Sequence, residues 1–163
     1  MHVFDVSHAR EGVATDDERA VEAPVAVEVV SRQAAVTREA DLSRPTIVGM
    51  TLRLAQSVVP SLARLMHWST EGASELVVVG AAGRARERLG ARTPLTAPLV
   101  QAAIRRCGSV VRSDRRVLFA PVLARGRLIA GIELVEPLVG GWFRDADVDA
   151  MDGAADLVAQ FFM

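Results

Sequence analysis

Residues 118–137, LFAPVLARGRLIAGIELVEP, hold two apolar runs on either side of Arg125-Gly126-Arg127. Two such runs joined by a short glycine-containing segment read as the antiparallel strands of a hairpin, with Ala-Arg-Gly-Arg as the turn. In the second run Leu128, Ala130, Ile132 and Leu134 fall on one side, and Ile129, Gly131, Glu133 and Val135 on the other. Both sides are largely apolar, so this hairpin is expected near the centre of a sheet, covered on much of both faces. Glu133, the one carboxylate among these alternating positions, is expected to face solvent at a sheet edge or to meet Arg112 or Arg116.

The flanking segments supply the cover. From Thr46 to Trp68 the spacing is helical: Val48, Leu52, Ala55, Val59, Leu62 and Met66 make one stripe, and Ile47, Met50, Leu54, Val58 and Leu65 much of another. Pro60 is expected to kink this helix or to start a second one. SELVVVGAAG (74–83) reads as a buried strand. TAPLVQAAIRRCG (96–108) reads as a helix capped by Thr96, with Pro98 in its first turn and Gly108 at its exit. Cys107 shares a face with Leu99, Val100, Ala103 and Ile104 and is expected to be a buried structural residue. A short strand, SVVR, follows. The last helix, roughly Asp147 to Phe162, again carries two apolar stripes, and Trp142 with Phe143 just before it reads as a hydrophobic plug. One stripe suffices to pack a helix on a sheet. The second stripe on the first and last helices predicts a homodimer, with Leu54, Val58, Met151, Val158 and Phe162 at its interface.

Residues 1–45 form a segment of their own, an acidic extension ahead of a domain at 46–163. Val25, Val27 and Val29 alternate as in a strand, whereas Pro24 suits the first turn of a helix, and both readings stand. DLSRP (41–45) reads as a linker, because the residue before a proline avoids helix.

Several chemistries find no residues to carry them. The single cysteine, Cys107, allows no internal disulfide and no cysteine-based metal site. His2, His8 and His67 are scattered, so no metal is expected. GAAGRARERLG has glycines but neither the GxGxxG spacing nor the lysine of a phosphate loop, and no GxSxG frames a serine nucleophile. No apolar run is long enough to span a membrane and the N-terminus has no secretory pattern, so a cytoplasmic location is expected. All 19 basic residues are arginine, and eleven of them fall between residues 84 and 127. A basic band alone does not indicate nucleic-acid binding, and none is expected. No cofactor and no enzymatic activity are expected.

The order of these segments resembles a GAF domain. A helix leads to a strand ending in VVVGAAG. Then follow PLTAPLVQAAIRRCGSVVRSD, the strands VLFAPVLARG and RLIAGIELVEP, and FRDADVDAMDGAADLVAQF. The proline-leucine entry to a helix ending in glycine is similar to the family's mid-domain helix. Pro121, Gly131, and the step from Phe143 to Asp147 match its penultimate strand, last strand and final helix. The resemblance implies an α+β fold: an antiparallel sheet with helices packed on one side and a pocket on the other. Little room remains between Met66 and Ser74 for the family's first strand, so the sheet is expected to be trimmed at that edge. No ligand contact of the family carries over by residue. There is no cyclic-nucleotide motif, Cys107 lacks a following histidine, and the family's cysteine-dependent methionine sulfoxide reductase has no counterpart in a chain with one cysteine. The expected function is a non-catalytic regulatory module that works through protein contacts and homodimerisation in signal transduction. The alternative is a sensor of an anionic small molecule, a nucleotide or organic acid, held by Arg112, Arg115 and Arg116 between apolar walls from Leu99 and Phe119.

Overall fold

The computed structural model describes residues 38–70 and 72–163. The readings made for the segment ahead of residue 38 lie outside the described residues. The elements run α1 (Arg38–Val58), β1 (Ser61–Ser69), β2 (Glu75–Gly83), β3 (Arg92–Pro94), α2 (Pro98–Arg106), β4 (Val110–Val111), β5 (Val117–Ala124), β6 (Arg127–Pro137) and α3 (Asp145–Ala159). Single 3-10 turns occur at Arg86–Arg88 and Gln160–Phe162. The six strands form one antiparallel sheet in the order β3-β2-β1-β6-β5-β4.

The opening hairpin is β5–β6, and β6 lies between β1 and β5 in the middle of the sheet. Its turn residues, Arg125 (φ 51°) and Gly126 (φ 74°), both have positive φ. That is the type I′ geometry whose twist matches paired strands. Ala130, Ile132 and Leu134 of β6 join Leu118, Ala120 and Val122 of β5 in the main core. Over them pack Val48, Leu52 and Ala55 of α1, Val59 just after it, and Val148, Met151, Ala155 and Val158 of α3. Each large side chain so buried contributes about 2 kcal/mol. Gly80 on β2 lets α1 approach closely, since a β-carbon there would lie 2.3 Å from Val48 Cγ1. The opposite face of the sheet carries two smaller clusters. Leu76, Phe119, Val100 and Ala103 meet under α2, and Ala63, Leu65, Val78 and Ala81 meet under Ala85, Leu89 and Ala91.

Six expectations are corrected. The helix predicted over 46–68 ends at Val58, and residues 61–69 are a strand. Hence the sheet is not trimmed at its first strand. Pro60 stops the helix instead of kinking it. The helical spacing of Leu62, Leu65 and Met66 misleads because all of 63–67 is buried, from both faces of β1, and leaves no period to read. The linker predicted at 41–45 lies within α1, which contains Pro45. Thr96 does not cap α2: the cap is Ala97, without a side-chain hydrogen bond, and Pro98 opens the helix. Cys107 is exposed, not buried. It ends α2 in the left-handed conformation (φ 52°), which turns its side chain out of the helical face and lets its N–H donate back to Ala103 and Ile104.

Candidate functional site

The candidate site lies on the α2 face of the sheet, where three side chains from separate segments meet. β1 has a bulge between Met66 and His67 in its pairing with β2. Bulges re-aim the side chains that follow them. His67 sits opposite Gly131 of β6, and Glu133 is the diagonal neighbour on the same face. The missing side chain at Gly131 makes room for Phe119, since a β-carbon there would lie 2.3 Å from Phe119 Cζ. The Phe119 ring in turn packs edge-on against His67, with centroids 5.8 Å apart and planes at 62°. Arg88, in the 3-10 turn after β2, reaches over the sheet from outside.

The polar contacts form a chain. Arg88 Nη1 donates to Glu133 Oε1 at 2.7 Å and Nη2 to Oε2 at 3.4 Å. Glu133 Oε2 lies 2.7 Å from His67 Nε2. Exposure falls along it: the Arg88 side chain is 39% exposed, Glu133 12% and His67 0%. Burial pushes the Glu133 carboxyl up, and this is the largest single influence. The hydrogen bonds and charges of His67 and Arg88 together outweigh it and hold the group at about 2. An ionised carboxylate only accepts, so the shared proton stands on His67 Nε2. Nδ1, on the far side of the ring, is buried and makes no hydrogen bond. It therefore engages no serine or cysteine as a base would engage a nucleophile. The arrangement can hold the 84–91 segment against the sheet and fix the tautomer of one ring.

Of the five residues expected at a ligand site, Leu99 and Phe119 do come together, in the apolar cluster under α2. The three arginines belong to a different network around the β4–β5 connection. Arg112 pairs with Asp114 (2.5 Å), Arg116 with Glu136 (3.0 Å) and Arg115 with Asp145 (2.8 Å), and Arg115 Nε also donates to the Phe143 carbonyl at 2.7 Å. The hydrogen bond from Arg112 holds the exposed Asp114 carboxyl at about 2, and Arg115 lowers Asp145 in the same way. These arginines tie the β4–β5 connection to the start of α3 and to the end of β6. Glu133 therefore meets Arg88 in place of Arg112 or Arg116. His67 and Arg88 were missed. The usable signal was a histidine and a glutamate each placed within an apolar strand, because buried polar groups need partners.

The residues expected at a dimer interface also divide. Met151 (0% exposed) and Val158 (1%) are taken up by the chain's own core and have no surface to offer. Leu54 is half-buried against that core, and Phe162 packs edge-on against Trp68 with centroids 5.1 Å apart. Val58 is 37% exposed. The outward apolar side chains on the helices are instead Met50 (44%), Leu157 (52%) and Phe161 (56%). Of the predicted plug, Phe143 is buried and Trp142 is exposed. Among the described residues no cluster of His, Cys, Asp and Glu has the grouping of a metal site, and no helix is long and apolar enough to cross a membrane.

No protein-family model and no curated protein sequence matches the chain. Solved structures do. The second GAF domain of DevS from Mycobacterium smegmatis is similar at 20% identity and a TM-score of 0.61, over 72% of this chain and 91% of that one. A segment of a methyl-accepting chemotaxis protein, residues 122 to 287, is similar at 14% identity and 0.55, over 69% and 83%. The free methionine-R-sulfoxide reductase of Neisseria meningitidis, solved with its substrate, is similar at 15% identity and 0.53, over 84% and 95%. Identities this low speak for backbone architecture and not for shared chemistry, and the architecture of this chain is the GAF-domain fold.

Proposed function

We propose that this protein is a non-catalytic regulatory module in signal transduction, acting through protein contacts as a homodimer. The observation that carries the reading is the outward apolar set on the two helices that cover the sheet. On α1 it is Met50 and Val58, with the half-buried Leu54 between them. On α3 and the turn after it the set is Leu157 and Phe161, continued by the exposed Ala146 and Gly153 and the half-buried Ala150. Helical spacing places each set on one side of its helix, and a soluble monomer leaves such a surface uncovered. Likeness to a chemotaxis protein supports a signalling role. Likeness to a sulfoxide reductase raises an enzymatic one, but a cysteine-dependent reaction here would fall to Cys107 alone, at the exposed end of α2. Light scattering at low micromolar concentration should give twice 17.5 kDa, and Leu157→Asp with Phe161→Asp should return the monomer. A monomer whose mass does not change with concentration refutes the reading.

A second reading, sensing of an anionic small molecule, is favoured by Arg88, which combines a partly exposed guanidinium with a buried connection to His67. Titration with a panel of nucleotides and organic acids tests it, and an unchanged response in Arg88→Gln counts against it.

A further inference from the structure

The two faces of the sheet are joined at its β4 edge. Val110 of β4 packs into the cluster under α2, and Val111 packs into the main core under α3. The polar link between the faces is Asp152, half-buried on α3. Its Oδ1 accepts from the Ser109 N–H, just past the exit of α2, at 2.5 Å, and a β-carbon at Gly108 would touch the same carboxylate at 3.4 Å. Asp145, seven residues earlier and so on the same side of α3, pairs with Arg115 of the β4–β5 connection at 2.8 Å. That side adjoins the outward apolar set, since Ala146 and Gly153 each follow one of the two aspartates. We propose that Asp152 is a positioning residue that couples α2 to the outward surface of α3, so that self-association and closure of the α2 exit strengthen one another. The inference rests on the homodimer reading and adds to it a route by which the two faces of the sheet communicate.

The closed exit carries two unfavourable features. Cys107 holds φ 52°, a left-handed conformation disfavoured for residues other than glycine. The Ser109 side chain is fully buried, and its hydroxyl makes no hydrogen bond among the described residues, so it has lost its hydration without replacement. Opening relieves both, and the contact with Asp152 opposes opening. Apolar burial adds modestly to that hold: the buried residues of α2 are Val100 and Ala103, and β4 is two half-buried residues long. A segment held in this way opens at a small free-energy cost, and whatever steadies its one charged anchor shifts the balance toward the closed form. A second chain seated on the outward side of α3 steadies that helix and the carboxylate it carries. The path runs in reverse as well. Val100 and Ala103 of α2 pack on Phe119, and Phe119 packs on His67. A change in the buried chain of His67, Glu133 and Arg88 therefore reaches α3 through α2 and Asp152.

The test is amide hydrogen exchange of the full chain, read by mass spectrometry. Residues 104–111 report the exit, residues 129–135 of β6 serve as the internal standard, and light scattering verifies the association state. Diluting the dimer to monomer should speed exchange of 104–111 about tenfold, a middling value for coupling between two sites, and leave β6 unchanged. Asp152→Ala should exchange fast over 104–111 at every concentration. It should also dissociate more readily than the native chain by a similar factor, because coupling is reciprocal. Asp152→Asn keeps an acceptor oxygen and should restore both properties in large part. The dilution arm uses the native chain and does not depend on the folding of any variant. If the native chain dimerises but its 104–111 exchange is indifferent to dilution, or if Asp152→Ala associates as tightly as the native chain, the coupling is overturned and the dimer stands. A chain that stays monomeric at all concentrations overturns both.

Discussion

Replacing Glu133 with glutamine tests whether the buried polar chain holds the α2 face together. The carboxyl is held at about 2 against an ordinary value of 4.5. At 1.36 kcal/mol for each pH unit, its ionised form contributes about 3 kcal/mol to stability at neutral pH. Direct removal of one partner from a buried charge pair leads to a similar figure, about 3–5 kcal/mol. Glutamine keeps the shape but removes the charge, and its amide NH2 replaces one of the two oxygens that accept from His67 and Arg88, so the ion pair is lost and only one acceptor oxygen remains. The sign follows from the lowered value. Stability from Glu133 is complete above about pH 5, where the unfolded chain is also ionised, and is lost as pH falls toward 2. Urea unfolding of the native protein and of Glu133→Gln at pH 7, 5, 4 and 3 should therefore show a gap of about 3 kcal/mol at pH 7 that narrows steadily with acid. Asp114 and Asp145 also have lowered values, but they titrate in both proteins and cancel in the difference. A gap below about 0.5 kcal/mol at pH 7, or one that stays constant down to pH 3, would refute the reasoning, because an exposed and unpaired carboxylate behaves in that way.

Other consequences follow from single positions. Met151→Asp should leave no folded protein to assay for dimerisation, because it puts a charge in a fully buried site. Met151→Ala should cost about 2–5 kcal/mol in urea unfolding. Cys107 should react with a thiol reagent in the native state as fast as an exposed peptide thiol, and Cys107→Gly should raise stability by up to about 1 kcal/mol, since glycine carries no penalty at φ 52°. Gly131→Ala should cost about 1–3 kcal/mol by displacing Phe119 from its seat against His67, visible as a lower melting temperature.

The parts of the fold that were legible are those whose residues have one face in the core or a fixed local signal. The β5–β6 hairpin was readable from its two apolar runs and its Arg-Gly turn, α2 from Pro98 and its apolar spacing, and α3 from its apolar spacing; the exit of α2 was expected at Gly108, but Cys107 takes the left-handed position. β1 was not, for a physical reason. It is central, its two faces are both buried, and Ala63, Leu65 and Met66 thus repeat without a period that separates strand from helix. Pro60 held the missing information, since a proline ends a helix as readily as it kinks one. α3 was located correctly, but its stripes were assigned the wrong way. The set containing Met151 and Val158 faces this chain's own core, and the helix alone does not say which of two apolar stripes the sheet will take.

The candidate site was illegible because its members are far apart in sequence. His67 and Glu133 are 66 residues apart, and Arg88 and Glu133 are 45 apart. No local spacing could join them, and each in isolation has an ordinary explanation. What the sequence does contain is a constraint on the pair. A glutamate flanked by Ile132 and Leu134, and a histidine flanked by Met66 and Trp68, sit in two strands that must both be covered. Neither group can be buried alone without losing several kcal/mol of hydration. Two polar residues of complementary chemistry, each inside a strand with two apolar faces, are therefore expected to find one another in the sheet. Adjacency of β1 and β6 then follows as the topology that satisfies both, and the arginine-rich turn after β2 is left to supply the remaining positive charge at the solvent end.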